Sequence, residues 1–190
     1  CGTDEGESFR IKSDYIIMDD IAFAANYCKR QRRVFLCDGD ALIIPQKRLL
    51  NILLEIEKKL PWVTRVGIYA NAKSLEMKTH DELKVLKDHG LGIVYMGLET
   101  GDDATLKKIN KGITIEQNIQ AFKLCKEERI QTACSFMIGI PGETLNDIDM
   151  SYKFARKLNP DWTQFNIYIA YPGSSLYDEV MEKGLFDRQQ

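Results

Sequence analysis

The sequence predicts an α/β protein built on a parallel sheet, and three observations carry that reading. Short apolar runs alternate with amphipathic stretches at roughly 30-residue intervals, the length of one βαβ unit. Five of the apolar runs end in loops rich in Gly and acidic or polar residues: 37–40 (CDGD), 70–74 (ANAKS), 97–103 (GLETGDD), 139–144 (GIPGET) and 170–175 (AYPGSS). No low-complexity segment or long Pro/Gly/Ser linker interrupts the series, so residues 1–190 read as a single domain.

The elements follow in order. Residues Ser13–Arg32 read as a helix, because Ile17, Ile21, Ala24 and Cys28 recur at helical spacing. Val34–Cys37 is a short apolar strand, read as buried. Pro45–Leu60 is a helix with Leu49, Leu53, Ile56 and Leu60 on one stripe and Pro45 near its first turn. Arg65–Tyr69 is the next strand. Thr79 and Glu82 make a capping-box pattern for a helix through Leu83 and Leu86 that stops near Gly90. Gly92–Leu98 is almost uninterruptedly apolar, as expected of a strand covered on both faces.

A short helix at Ala104–Ile109 ends at Asn110-Lys111-Gly112, and Thr114 caps another whose stripe is Ile115, Ile119, Phe122 and Cys125. Thr132–Ile138 is a strand. Thr144 caps a helix with Ile148, Tyr152, Ala155 and Leu158 facing inward. Thr163–Ile169 is a strand, and Ser174–Lys183 a closing helix that ends at Gly184. Right-handed crossovers put all helices on one side if the strands coil progressively into a barrel. A doubly wound sheet is the other solution, and sequence period does not choose between them.

Composition narrows the function classes. A formal net charge of −2 gives no basis for a nucleic-acid-binding surface, and the basic run Lys29–Arg33 reads as a solvated helix end. No apolar run reaches the ~18 residues that span a membrane. Five Cys, an odd number at irregular spacing, fit a reducing compartment, with the cytoplasm as the expectation.

The loops carry the chemistry. In Asp38-Gly39-Asp40, Gly lets backbone approach a ligand and the carboxylates favour a primary ammonium guest over a phosphate; an acidic capping turn is the plainer alternative. Glu99 follows the strongest strand, where a carboxylate can accept two hydrogen bonds from a vicinal diol such as a ribose; it can equally be a surface Glu paired with a local Lys. Lys111 can return its ammonium to a ligand carboxylate or face solvent. Around Gly139 the backbone can lie flat against a planar base, and Ala170 or Tyr171 can meet the same base one unit later. An amine site, a diol site, a carboxylate site and two base platforms together describe an amino acid joined to a nucleoside, which is S-adenosylmethionine.

Four segments then resemble the radical S-adenosylmethionine superfamily over almost the whole chain: 34–42 (VFLCDGDAL), 95–112 (YMGLETGDDATLKKINKG), 137–144 (MIGIPGET) and 169–180 (IAYPGSSLYDEV). The resemblance implies a partial (β/α)6 TIM-like barrel lacking its first strand. It sets Asp38, Gly39 and Asp40 in the loop that receives the methionine ammonium, and Glu99 beside the ribose or methionine part. It sets Lys111 near the methionine carboxylate, and Gly139 and Ile140 in the adenine platform with Glu143 adjacent. Ala170 and Tyr171 fall at the sixth-strand adenine contact. Asn71 and Ser74 are further contacts or loop caps.

The family hallmark Cys-x3-Cys-x2-Cys, which holds a 4Fe-4S cluster, is not present in the chain. Cys1 resembles its third Cys, so two ligands and the first strand are expected upstream of residue 1. Cys28 and Cys125 on helix stripes, and Cys134 in a strand, read as structural thiols; Cys37 is read the same way. The implied activity is reductive cleavage of S-adenosylmethionine to a 5′-deoxyadenosyl radical that abstracts hydrogen from a small-molecule or macromolecular substrate. The electron donor is of the flavodoxin or ferredoxin kind. The second half resembles members with a cobalamin-binding or other accessory domain. Two other readings stand beside this: a non-catalytic binding or scaffold fragment, and an ordinary (β/α) metabolic enzyme using Asp40 and Glu99 as an acid/base pair.

Overall fold

The computed structural model describes residues 12–37, 39–173 and 175–185. Cys1, Asp38 and Ser174 lie outside that set. The elements run α1 (Asp14–Tyr27), β1 (Arg33–Leu36), a 3-10 turn (Ala41–Ile43), α2 (Gln46–Lys59), β2 (Arg65–Ala70), α3 (Ala72–Glu76), α4 (His80–Asp88), β3 (Leu91–Glu99), α5 (Asp103–Lys108), α6 (Ile115–Glu127), β4 (Gln131–Ile138), α7 (Leu145–Leu158), β5 (Trp162–Ile167) and α8 (Ser175–Glu182).

The five strands form one sheet in the order β1-β2-β3-β4-β5, every pair parallel. Strand order that follows chain order, with no reversal, makes the sheet singly wound. Right-handed crossovers then stack the helices on one face and curl the sheet as in a barrel. This decides the topology that hydrophobic period left open. On the helix-covered face Val66, Ile68, Val94, Met96, Leu98 and Phe136 are all buried, packed with Leu49, Leu53, Leu83, Leu86 and Phe122. Phe136 anchors the far end: its ring stacks on Phe165 at 5.0 Å and meets Phe154 of α7 edge-on at 6.2 Å. Truncating such a residue costs about 3–5 kcal/mol, because the surroundings collapse only partly into the cavity.

Local signals account for most boundaries. Thr79, Thr114 and Thr144 each cap a helix through a reciprocal box with the residue three positions on. Four expectations change. The first helix ends at Tyr27, with Cys28 as a half-buried C-cap rather than a core position; of its stripe only Ile21 is buried, so packing does not carry the helix into the basic run. Among the described residues β1 is the edge of the sheet, with half-exposed side chains where a buried strand was expected. Tyr152 is 52% exposed, and the buried stripe of α7 is Ser151, Phe154, Ala155 and Leu158. β3 is covered fully on one face only: Val94, Met96 and Leu98 are buried while Tyr95 and Gly97 on the other face are half-buried.

Candidate functional site

Parallel strands place their C-terminal ends, and the loops that follow, on one rim. At the β1 end, Gly39 adopts φ +55, and a Cβ there would meet nothing within 4 Å. Asp40 follows, half-buried, and its Oδ1 is buried without a hydrogen-bond partner. Burial pushes its carboxyl above the ordinary carboxylate value; the Ser74 hydroxyl and then the backbone of Leu42 and Asn71 partly offset that. Asn71 and Ser74 close a capping box at the start of α3. The Ser74 N–H donates to Asn71 Oδ1 at 3.1 Å and the Asn71 N–H to Ser74 Oγ at 3.1 Å. Both residues of this pair therefore cap the helix, and the nearly buried Ser74 also shapes the surroundings of Asp40.

The β3 end is the most constrained. Glu99 holds φ +65, a left-handed conformation rare for a residue with a Cβ and typical of functional sites. The β3–β4 register shifts between Gly97 and Glu99, so the Glu99 carboxylate folds back over Gly97. A Cβ at Gly97 would lie 2.3 Å from Glu99 Oε1 and 3.2 Å from Lys111 Nζ. Lys111 donates to Glu99 Oε1 at 2.6 Å, with the two side chains 28% and 17% exposed. The C-terminus of α5 brings Lys111 there: Asn110 turns left-handed at φ +53 and the Lys111 N–H returns to Leu106 O.

Two further residues, which nothing in the sequence pattern singled out, hold this loop. Thr100 and Ser151 are fully buried with their hydroxyls 3.2 Å apart, and Ser151 Oγ accepts the Gly101 N–H at 2.9 Å. Gly101 lies against the α7 backbone; a Cβ would sit 2.7 Å from Met150 O. The sole sequence signal is a Gly after Glu99-Thr100 and a Ser on the buried stripe of α7.

At the β4 end, Gly139 has φ +87 and open space where a Cβ would stand. Its N–H donates to Glu143 Oε2 at 2.5 Å, while Glu143 Oε1 is buried without a partner. Lys108 donates to the Pro141 carbonyl, tying α5 to this loop. Ile140 is 2% exposed, so the residue is buried at the base of the rim, beside the exposed Gly139. Past β5, Ala170 is half-buried and Tyr171 exposed.

Asp40, Glu99, Lys111, Gly139 and Ala170 thus follow the C-terminal ends of parallel strands on one rim, which carries an orphaned buried carboxylate oxygen and an uncovered glycine. The described residues do not fit an iron–sulfur cluster. No three of their His, Cys, Asp or Glu side chains group as metal ligands. Burial pushes the Cys125 thiol up to about 12 and the Cys134 thiol to about 11, so both stay protonated at neutral pH. The proposed ligand Cys1 is outside the described set.

Comparisons with known proteins follow the same lines. The family profile of the radical SAM superfamily matches residues 1–155. An anaerobic magnesium-protoporphyrin IX monomethyl ester cyclase of Rubrivivax gelatinosus is 36% identical over 178 residues, covering 92% of this chain and 31% of the cyclase. An uncharacterized methyltransferase of Pyrococcus horikoshii is 32% identical over 151 residues, covering 77% of this chain and 31% of that protein. The chain therefore spans 31% of the length of each of these curated relatives. Coproporphyrinogen III oxidase from Escherichia coli, a radical SAM enzyme, superposes with a TM-score of 0.68 at 16% identity, over 82% of this chain and 36% of the oxidase, which shows the shared fold. No helix among the described residues is long and apolar enough to cross a membrane.

Proposed function

We propose a function from one premise: the chain belongs to the radical SAM superfamily. Members of that superfamily use S-adenosylmethionine and a 4Fe-4S cluster, and its relatives of this chain are enzymes named as cyclases, methyltransferases and methylthiotransferases. This chain is the cofactor-cradling part of such an enzyme. The methionine ammonium lies at the Asp38-Gly39-Asp40 loop and the methionine carboxylate at Lys111. The ribose hydroxyls lie at Glu99, and the adenine rests on the Gly139-Ile140 backbone with Ala170 and Tyr171 beyond it. Bound S-adenosylmethionine supplies, on reductive cleavage, a 5′-deoxyadenosyl radical for hydrogen abstraction from a substrate.

The chain's own residues bind and orient. Asp40 Oδ1 offers an unused acceptor in a half-buried corner, where a charge-assisted hydrogen bond is worth about 1.5–3 kcal/mol. That orphaned oxygen is the single observation that carries the reading. Lys111 is held within reach of the rim by Glu99, and Glu143 fixes the Gly139 peptide so that the platform above it stays open. Cys1 is assigned as one cluster ligand by resemblance to the family. The reductant is of the flavodoxin or ferredoxin class.

The test has two arms. Isothermal titration of this chain with S-adenosylmethionine is expected to give saturable binding that Asp40→Asn weakens about tenfold or more. The longer protein, iron-loaded and reduced, is expected to form 5′-deoxyadenosine. Failure of the longer protein to do so refutes the reading.

A further inference from the structure

The sheet has a second face. Opposite the helices, Phe35 of β1, Tyr69 of β2, Tyr95 of β3 and Gln164 of β5 project from register positions on one side. They touch in sequence. The Phe35 and Tyr69 rings meet edge to face at 4.7 Å, and Tyr69 and Tyr95 at 5.7 Å. The Tyr95 hydroxyl donates to Gln164 Oε1 at 2.9 Å, and Gln164 Nε2 donates to Asn166 Oδ1 at 2.7 Å. One connected row crosses the sheet from β1 to β5.

The row lies low on the strands. The Phe35 ring crosses over Gly67, where a Cβ would sit 2.6 Å from it. Tyr95 reaches over β4 to β5 across Ala133 and Ser135, the small residues paired with Tyr95 and Gln164, and the half-buried Met137 follows on the same face at the position paired with Asn166. Small residues beneath large ones lay the rings across the strands instead of standing them upright. A closed (β/α) barrel fills the same interior with layers of bulky branched side chains. Here Phe35 and Tyr69 remain 38% and 40% exposed, and Trp162, on the same face of β5, 65%. The floor is also continuous with the cofactor rim, because Tyr95, Gly97 and Glu99 follow one another along β3 toward its C-terminal end.

We propose that the substrate is a flat, conjugated ring system that lies on this floor with a polar edge turned to Asn166 and the Tyr95 hydroxyl. The proposal rests on the cofactor reading above, which makes the upper end of the floor the reacting end. A ring floor rewards a guest that presents a π-face, through stacked or edge contacts that a puckered aliphatic ring cannot match. The polar relay fixes orientation: with the Tyr95 proton spent on Gln164 and the Gln164 amide on Asn166, the Tyr95 oxygen accepts and Asn166 Nδ2 donates. Ala133 and Ser135 keep the strip between Tyr95 and Gln164 low.

Equilibrium dialysis with two probes tests this. Pyrenebutyrate and deoxycholate both carry a four-ring body and one carboxylate, but only the first is flat. Pyrenebutyrate is expected to bind saturably and at least tenfold more tightly than deoxycholate. Tyr69→Ala is expected to weaken it about tenfold, and Ser135→Leu, which raises the floor without removing a ring, to weaken it comparably. Circular dichroism of each variant checks the fold. Equal affinity for the two probes, no binding of either, or a wild-type affinity in two folded variants overturns the proposal. S-adenosylmethionine titrated into the same preparation reads the cofactor reading separately, so a failure there is not confused with a failure here.

Discussion

Replacing Gly97 with Ala isolates how the Glu99 carboxylate is held. Gly97 has an ordinary backbone conformation, so alanine introduces no dihedral strain. Its Cβ would stand 2.3 Å from Glu99 Oε1, against an ordinary contact of 3.4 Å or more, so the carboxylate has to move by about 1 Å. That breaks the 2.6 Å pair with Lys111. A charge-assisted hydrogen bond is worth about 1.5–3 kcal/mol; with the partners 28% and 17% exposed, about 1–2 kcal/mol is the better figure. Alanine in a strand returns about 0.5–1 kcal/mol by restricting the unfolded chain. The net is a loss of about 0–1.5 kcal/mol, which lowers Tm by up to roughly 6 °C for a chain of this size. Cofactor affinity is expected to fall more, about tenfold or beyond, because in the proposed cofactor site the displaced carboxylate no longer meets the ribose. Differential scanning calorimetry and calorimetric titration with S-adenosylmethionine read the two effects. Glu99→Gln, which removes the charge without the methyl group, should reproduce the affinity loss. A Gly97→Ala protein with Tm and affinity both unchanged refutes the account.

The remaining expectations concern charge, packing and thiol chemistry. Asp40 has its carboxyl raised above 3.8 in the fold, so its ionisation penalises folding: the penalty is absent below pH 3.8, grows as pH rises through the raised value, and is complete above it. Asp40→Asn should therefore raise Tm at pH 7 while weakening S-adenosylmethionine binding, and the Tm gain should vanish in melts below pH 3.8. Gly101→Ala is expected to destabilise by about 2–3 kcal/mol in urea unfolding, because the methyl group meets α7 backbone at 2.7 Å and cannot be accommodated by a side-chain shift. In native protein at pH 8, iodoacetamide should label the exposed Cys37 and leave Cys125 and Cys134 unmodified until denaturant is added, as read by mass spectrometry; equal labelling of all three would contradict the burial that pushes their thiols up to about 12 and about 11.

Much of this protein was legible in its residues because the signals are local. Capping boxes at Thr79, Thr114 and Thr144 need only four consecutive residues, and the helices begin where those boxes stand. The strand-end loops were legible for the same reason: Gly, Asp and Glu at fixed offsets after apolar runs mark the rim whatever the sheet does next. The family resemblance suggested a chemistry for those loops, and the superfamily profile over residues 1–155 bears out the family.

What failed was what depends on neighbours distant in the chain. Tyr152 and Cys28 sit at helical spacing yet face outward or cap an end, because the orientation of a stripe is set by what packs against it. The apolar run of β3 suggested cover on both faces, and only the sheet shows that one face is left to Tyr95 and its row.

The sequence by itself determined the alternation of strand and helix, the caps, and the chemical character of five loops, since each is fixed by residues within one or two turns of one another. Tertiary structure alone decided that the sheet is singly wound, that Glu99 bends back over Gly97 to meet Lys111, and that Thr100, Gly101 and Ser151 lock that loop to α7. Those are contacts between residues up to 51 apart in the chain. They are selected by packing and by the pairing of buried polar groups, neither of which leaves a period in the sequence.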